Sequence, residues 1–362
     1  MINNYPLALV GRAVFGAGGE SLNVSSNTFM TGWFSGKELA MAIGVTVSVS
    51  RLGSATNDNS EPAIVTESGS LSLGLWVGFM FCVISLVCAL VLNYFDRRKD
   101  EKMGVSEPIK LDSSEKFKIR EMKDFGLIFW LVCINCFVVY IDVSCFNNIA
   151  SNYFQERFKY NSIEAGSIIS ITYIVAALLC PFFGVVVDKF GKRVHFIIFS
   201  AVDVTLVHVA FLLTPESNRP IYPIFYMVFL GLGYSIYASV IWASIPYIIN
   251  PKGLGTAFGT ATAIQNLGLA IGPIAVGLIQ ENTHKDKGYY WTSFFFVMIG
   301  IAGITTSILI FIFDIQSGGK LKSNNPEYLL NYTIQEVQEE NKEKKEEEND
   351  LKEGLLDESI NN

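Results

Sequence analysis

The sequence predicts an all-α protein that crosses a membrane several times. Half of its 362 residues are hydrophobic and 17% are charged, whereas about 25% of the residues of a soluble domain are usually charged. The net charge of −7 arises after residue 313, and the preceding residues are balanced. Long apolar segments recur along that balanced part. This pattern disfavours a cytosolic enzyme, and the absence of a basic surface disfavours a nucleic-acid-binding protein.

Nine segments are predicted to span the membrane, because a spanning helix needs about 20 mostly apolar residues. The first two carry Arg12, Glu20 and Arg51 and are the most polar. Two later segments are rich in Gly, Ser and Thr, which suits close helix packing in a membrane. In chain order the spans are Pro6–Phe34, Glu38–Asp58, Leu71–Tyr94, Phe125–Ala150, Ala165–Val187, Val194–Leu213, Ile221–Ile249, Leu254–Gln280 and Tyr290–Phe313.

The spans are expected to form two groups. Residues 1–94 hold three of them, a charged loop follows at 95–124, and residues 125–313 hold the other six. Residues 314–362 are acidic and poor in apolar residues, which predicts a disordered tail. Fourteen Lys and Arg residues lie on the side of the charged loop and five on the other side. Basic loops stay in the cytosol, so the loop and the tail are predicted to be cytosolic.

The loop after the fifth span carries the strongest short motif. It reads Gly184-Val-Val-Val-Asp188-Lys189-Phe190-Gly191-Lys192-Arg193. Asp188 can meet a helix N-terminus or a neighbouring cation, and Gly191 provides a tight turn. The basic pair Lys192 and Arg193 is expected to hold the loop on the cytosolic side. The alternative is an ordinary basic loop.

This decapeptide resembles the conserved loop of the major facilitator superfamily, where it joins the second and third helices of a six-helix bundle. The stretches 11–22, 33–39, 50–54, 254–259 and 264–271 are similar to one branch of that family, which moves dipeptides out of lysosomes. The resemblance implies a major facilitator fold of twelve helices, of which nine (three plus six) are expected here. It also implies a multi-pass lysosomal location and a glycosylated single-span accessory protein.

Charged residues in the first two spans are candidates for substrate binding. A charge at mid-membrane costs about 2.5–3.5 kcal/mol, so it normally faces a cavity or a partner. Glu20 and Arg51 either pair with each other or bind the two ends of a zwitterion. The resemblance implies that Glu20 binds the ammonium group of a dipeptide and that Arg51 binds its carboxylate. Arg12 matches a family arginine that is structural or assists proton coupling.

The later spans add further candidates. Tyr234 and Tyr237 share a helix face, with Trp242 about 80° round from Tyr234, and they are expected either to close the substrate pocket or to form a packing layer. Asn266 lies on a stripe of small polar residues that serves the cavity or helix packing. Asp142 is a proton-coupling candidate because it is an acid in mid-span. A structural role is expected for His208.

Transport by alternating access is therefore the main functional hypothesis. The sequence has no Ser-His-Asp set, phosphate-binding Gly loop or HExxH motif, so we predict no enzyme activity, metal or cofactor. Two alternatives remain. One is a non-transporting scaffold or regulatory fragment, because three helices do not complete an N-terminal bundle. The other is a facilitator of another small organic anion.

Overall fold

The computed structural model describes residues 5–34, 38–102, 125–249, 253–283 and 288–322, and this part of the chain is helical without a β-strand. A π-helical turn at Ile141–Cys145 separates the fourth and fifth helices, and short 3-10 turns occupy Ile245–Tyr247 and Lys320–Lys322. The helices are α1 Tyr5–Trp33, α2 Leu39–Ser68, α3 Leu71–Lys102, α4 Leu127–Tyr140, α5 Phe146–Phe158, α6 Ser162–Phe190, α7 Arg193–Leu213, α8 Tyr222–Ser244, α9 Leu254–Asn282 and α10 Gly288–Gln316.

The predicted class of fold is confirmed. Eight segments of the described chain are long and apolar enough to cross a membrane, and α4, the π turn and α5 together form one of them, Leu127–Phe158. All nine predicted spans are helical. The helix α1 has 29 residues but is not among the eight, because its polar residues lower its hydropathy.

Several predicted spans end earlier than the helices in the structure, and two of these ends bear on the predicted loop and tail. The helix α3 continues to Lys102, into the predicted loop 95–124. The helix α10 ends at Gln316, and the buried Leu321 follows it. The backbone N–H of Lys192 donates to the carbonyl of Lys322 at 3.2 Å, which places the end of α10 beside the motif loop. The rest of the predicted loop and tail lies outside the described residues.

The helix α2 packs mainly against α6 and α8 of the second group, and much less against α1 and α3. Two glycines allow this approach. A Cβ on Gly44 of α2 would lie 2.5 Å from the Cys180 carbonyl oxygen, and one on Gly184 of α6 would lie 2.5 Å from the Ala40 carbonyl oxygen. We call these four residues the α2–α6 seam. Small residues let membrane helices approach closely, so the seam brings one helix of the first group against the second.

The helix α3 has a different environment, because its apolar side chains remain exposed along its length. Trp76 and Phe81 are each 64% exposed. A helix that is hydrophobic all round is typical of a membrane span. The helix α3 therefore suits direct contact with lipid, whereas the buried core lies among α2 and α4 to α10.

Candidate functional site

Arg51 is a charged residue of the predicted site that the fold places among aromatic rings. It lies on α2, and its guanidinium carbon is 4.8 Å from the ring centre of Tyr234 on α8 and 5.9 Å from that of Tyr173 on α6. A guanidinium within about 6 Å of an aromatic ring gains cation–π attraction, and the gain is larger where water is excluded. This contact stabilises the cation without neutralising its charge, so Arg51 keeps the capacity to bind an anion.

Four buried side chains form an aromatic cluster beside Arg51: Tyr140, Tyr234, Tyr237 and Trp242. The ring of Tyr140 lies 5.9–6.3 Å from the other three rings in edge-on or tilted contacts. Such pairs contribute about 0.5–1.5 kcal/mol each beyond the area they bury. Because Tyr140 comes from α4 and the other three from α8, the cluster joins two helices into one wall of the site.

Two members of the cluster have their polar groups occupied by other protein groups. The indole N–H of Trp242 donates to the Tyr140 hydroxyl at 2.8 Å. The Tyr237 hydroxyl donates to Asn135 Oδ1 at 2.8 Å, and Asn135 in turn donates to the hydroxyls of Thr306 and Ser307 on α10, each at 2.9 Å. These hydrogen bonds fix the ring positions, so Trp242 and Tyr237 offer a ligand their rings rather than their donors.

Arg51, beside Tyr234, has a hydrogen-bond donor that no described protein group occupies. The Nε of Arg51 is buried and has no hydrogen-bond partner among the described residues, and the hydroxyl of Tyr234 lies against Arg51 and Tyr140. An unmet buried donor costs about 1–3 kcal/mol, and a carboxylate is the acceptor that suits a guanidinium best. The arrangement therefore fits an organic anion whose carboxylate meets Arg51 and Tyr234 while its apolar part contacts the rings.

The sequence predicted three of the four cluster residues and missed Tyr140, together with Tyr173 and Asn135. All three sit in otherwise apolar spans. A polar residue in an apolar helix normally faces the bundle interior, and this signal would have selected Asn135 and Tyr140. The pairing of Tyr140 with Trp242 depends on the packing of α4 against α8, which periodicity does not specify.

The structure does not bring all of the predicted site residues together. Arg12 and Glu20 are exposed on α1, and no ion pair joins Glu20 to Arg51 within the part of the chain that the structure describes. Asn266 is partly exposed on α9. The helix α9 reaches the aromatic cluster through Phe258, whose ring centre lies 6.4 Å from that of Trp242.

Small and polar residues along α2 have two different environments. Gly44 and Ser48 pack against α6: Gly44 belongs to the α2–α6 seam, and the Ser48 hydroxyl donates to the Ala177 carbonyl. Arg51, about one turn further along, reaches the aromatic cluster. Gly44 and Ser48 therefore form a helix contact, whereas Arg51 belongs to the candidate site.

The motif loop holds the start of α2. Both carboxylate oxygens of Asp188, near the end of α6, accept backbone N–H groups at the start of α2: Ala40 at 3.2 Å and Met41 at 2.8 Å. The first N–H groups of a helix have no partner within the helix, and their partial positive charge attracts an anion. Of the two predicted alternatives for Asp188, the structure shows the helix N-terminus in direct contact, and Arg193 lies close enough to add a charge–charge attraction.

The two basic residues of the motif, Lys192 and Arg193, lie in different environments. Gly191 adopts a φ of 61°, in the left-handed region that glycine enters at little cost. Lys192 is exposed, as expected of a residue at the membrane surface, but Arg193 is 1% exposed and its guanidinium carbon lies 3.6 Å from the ring centre of Tyr247. Arg193 therefore lies inside the bundle, because the turn at Gly191 directs it there, and the expectation that the pair holds the loop on the cytosolic side stays a prediction.

We expect Asp188→Asn to loosen the start of α2. One amide oxygen replaces two charged oxygens, so a hydrogen bond and the charge–dipole attraction are lost, together about 0.5–2 kcal/mol. The measurement is the thermal unfolding midpoint of the purified protein in detergent, which should fall by several degrees. The exposed Glu281 supplies the control: Glu281→Gln should leave the midpoint unchanged. An equal loss in both variants would contradict the assigned contact.

Asp142 is buried and lies next to a residue of a different helix. Its Oδ1 is 3.2 Å from Nε2 of His208 on α7. From the sequence, Asp142 is a proton-coupling candidate and His208 a structural histidine, with nothing that connects the two. The fold joins them into one pair, which lies two residues along the chain from Tyr140 of the aromatic cluster.

An apolar groove of about 510 Å³ lies between α9 and α10, lined by residues such as Leu278, Trp291, Phe294 and Met298. None of the candidate site residues lines it. Its walls suit an acyl chain or another apolar group rather than a zwitterion, because burying an unpaired charge there would be costly. We therefore assign the site to Arg51 and the aromatic cluster, not to this groove.

The helical membrane fold and the motif loop define a class of transporter, and the chain belongs to the Major Facilitator Superfamily, whose sequence model matches residues 132–348. The chain is 36% identical over 330 residues to the lysosomal dipeptide transporter MFSD1 of Mus musculus, covering 89% of this chain and 68% of that protein. It is 34% identical to the human protein of the same name over the same shares. Monocarboxylate transporter 1 of Bos taurus is 25% identical over 162 residues, 45% of this chain and 31% of that protein.

Proposed function

We propose that this chain exports dipeptides from the lysosome to the cytosol by alternating access. The observation that carries the proposal is the half-buried Arg51, whose guanidinium lies over Tyr234 and whose buried Nε has no hydrogen-bond partner among the described residues. A cation of this kind fits a carboxylate-bearing substrate. The similarity to the lysosomal dipeptide transporters supports the substrate class and the lysosomal location.

In the proposed complex the two ends of the dipeptide meet opposite charges. Its carboxylate binds Arg51. Its ammonium group binds Glu20 of α1, which approaches the site in the other state of the alternating cycle. The rings of Tyr140, Tyr234 and Trp242 contact the side chains. Ring faces are tolerant of side-chain identity because contact with them is largely non-directional. We therefore expect broad selectivity among dipeptides, with Tyr237 holding the wall and Asn266 a further polar contact.

The motif loop is the proposed gate. Asp188 and Gly184 hold the start of α2 against α6, while Gly191, Lys192 and Arg193 fix the turn into α7. Rocking of one bundle against the other exposes the site to each side in turn. Such rocking must break the contacts between α2 and α6 in one of the two states. The acidic tail, which follows α10 beside this loop, would then lie in the cytosol.

Proton coupling and an accessory protein complete the proposal. Asp142 and Arg12 are the candidates for coupling, because a charge within a membrane segment is functional by default. The groups that face Asp142 within the described chain are His208 of α7 and the thiol of Cys145. A glycosylated single-span partner would shield the lumenal loops from proteases.

The test is uptake of a labelled dipeptide into proteoliposomes that contain the purified full chain. Unlabelled dipeptides should compete with the label, and monocarboxylates should not. Competition by monocarboxylates alone would favour the facilitator of another organic anion. No uptake above empty liposomes, from protein with a cooperative unfolding transition, would favour the scaffold alternative and overturn the proposal.

We expect Glu20→Ala to abolish dipeptide uptake while leaving expression intact, because the ammonium group loses its carboxylate partner. An N-acetylated dipeptide has no ammonium group, so it should compete poorly with the label at the wild-type site. The exposed Glu156 of α5 provides the matched control, and Glu156→Ala should transport normally. Normal uptake by Glu20→Ala would remove Glu20 from the site.

A further inference from the structure

The span Leu127–Phe158 is not a continuous α-helix. A π turn at Ile141–Cys145 separates α4 from α5. Such turns are rare in proteins, and those that exist often lie at functional sites. The turn reads Ile-Asp-Val-Ser-Cys, with neither glycine nor proline. No helix-breaking residue within the turn therefore imposes it, and the surrounding helices must hold it in place.

One of the contacts that hold the turn is the pair of Asp142 and His208. Their side chains are 3% and 1% exposed, and the two atoms in contact are 3.2 Å apart. The rings of Phe146 and Phe296 lie 5.0 and 5.1 Å from the His208 ring. Neither ring nitrogen of His208, nor Asp142 Oδ1, meets hydrogen-bond geometry with a group in the described part of the chain, so the 3.2 Å approach is a close polar contact in an otherwise aromatic surrounding. Asp142 is thus the close polar neighbour of the histidine.

Glycines make room for the turn on two sides. A Cβ on Gly300 of α10 would lie 3.1 Å from Asp142 Oδ2 and 2.5 Å from Thr205 Oγ1. On the side of α9, a Cβ on Gly268 would lie 3.1 Å from Ile141, and one on Gly272 would lie 3.1 Å from the Cys145 sulfur. The turn is therefore enclosed by α7, α9 and α10, each through a specific small or polar residue.

The turn begins immediately after Tyr140 of the aromatic cluster. Each residue of an α-helix advances about 100° around the axis. Relaxation of the turn into a regular helix would rotate α4 relative to α5 by about that angle. Because Phe146 at the start of α5 packs against His208, such a rotation would displace Tyr140 from Trp242 and from the site of Arg51.

We propose that Asp142 and His208 form a positioning pair that maintains the π turn and thereby holds Tyr140 in the substrate site. The pair acts through the backbone of the turn and does not touch the substrate. This inference rests on the proposed function for its effect on transport, but its effect on the backbone is independent of any substrate.

Variants of Asp142 and His208 can separate a positioning role of the pair from a role in which Asp142 carries a proton. Removing one partner leaves the other buried and unpaired, which is strongly destabilising, whereas apolar replacement of both is often tolerated. Asp142→Asn retains a polar side chain of the same shape facing His208. A positioning role therefore survives that change, while a role in which Asp142 itself carries the coupled proton does not.

The experiment has one readout that needs no substrate. Amide hydrogen exchange is measured across Ile141–Cys145 in the purified full chain, for wild type, Asp142→Asn and the double variant Asp142→Leu/His208→Leu. We expect exchange about 10-fold faster in the double variant, the size of a typical coupling between contacting residues. Asp142→Asn should exchange as wild type does. Wild-type exchange in the double variant would overturn the inference.

The second readout is the kinetics of dipeptide uptake. We expect the double variant to raise KM about 10-fold while the maximal rate per folded protein changes little, because Tyr140 is displaced. A merely structural role would lower the maximal rate and leave KM unchanged, and that result would overturn the inference.

The exposed pair of Glu164 and Arg219 is the matched control, because its two charged atoms are also 3.2 Å apart. Glu164→Gln should change neither exchange at Ile141–Cys145 nor KM. If wild-type protein transports no dipeptide, the proposed function fails and the exchange measurement still decides the role of the pair.

Discussion

Replacing Arg51 with alanine is expected to lower dipeptide uptake about 10- to 100-fold, measured as maximal rate over KM. The change removes a charge-assisted contact worth about 1.5–3 kcal/mol, and about 1.4 kcal/mol corresponds to a factor of ten. Arg51→Lys should recover only part of the loss, because an ammonium group lacks the planar fork of the guanidinium and its stacking on Tyr234.

A C-terminally amidated dipeptide tests the same contact from the side of the substrate. Amidation removes the carboxylate, so the amide should compete poorly for the wild-type transporter. At Arg51→Ala, the amide and the free dipeptide should compete equally, because the partner of the carboxylate is already absent. A loss of affinity on amidation that is as large in Arg51→Ala as in wild type would assign the carboxylate to another residue. Arg219→Ala, at a 55% exposed side chain, is the control.

Gly184→Ala is expected to separate α2 from α6 and to reduce uptake severely. The new Cβ would lie 2.5 Å from the Ala40 carbonyl oxygen and 2.7 Å from the Met41 Cα. These are backbone atoms, which cannot move aside as a flexible side chain would. Overpacking of this kind costs about 1–3 kcal/mol, and the shift would also lengthen the hydrogen bonds from Ala40 and Met41 to Asp188. The measurement combines initial uptake rate with the thermal unfolding midpoint.

Two further variants show whether the effect belongs to the α2–α6 seam. Gly44→Ala should behave in the same way, and the double variant should lose less than the sum of the two losses, since sites that share one interface couple. Gly277→Ala on α9 is the control, because its Cβ would meet no described atom within 4 Å. A loss at Gly277 as large as that at Gly184 would contradict a role specific to the seam.

The sequence predicted the candidate site in part. Tyr234, Tyr237 and Trp242 were predicted together because they are close on one helix, where the 100° advance per residue defines a shared face. Tyr140 and Tyr173 come from other helices, so no spacing along the chain connects them with Arg51. Asp188 shows the same limit. The motif indicated an acid at a helix end, and the fold showed that this acid binds the N-terminus of α2 directly, with Arg193 nearby.

The sequence by itself determined that this protein is an all-α membrane protein with a motif loop of the major facilitator type. Length and hydropathy are properties of each segment, and the motif is a property of ten consecutive residues. Tertiary structure alone decided that Arg51 meets the aromatic cluster, that Asp142 meets His208 and that Gly184 meets Ala40. A helix that is apolar on all sides has no hydrophobic face to set its rotation, so its neighbours are fixed by close packing of small residues and by the matching of buried polar groups.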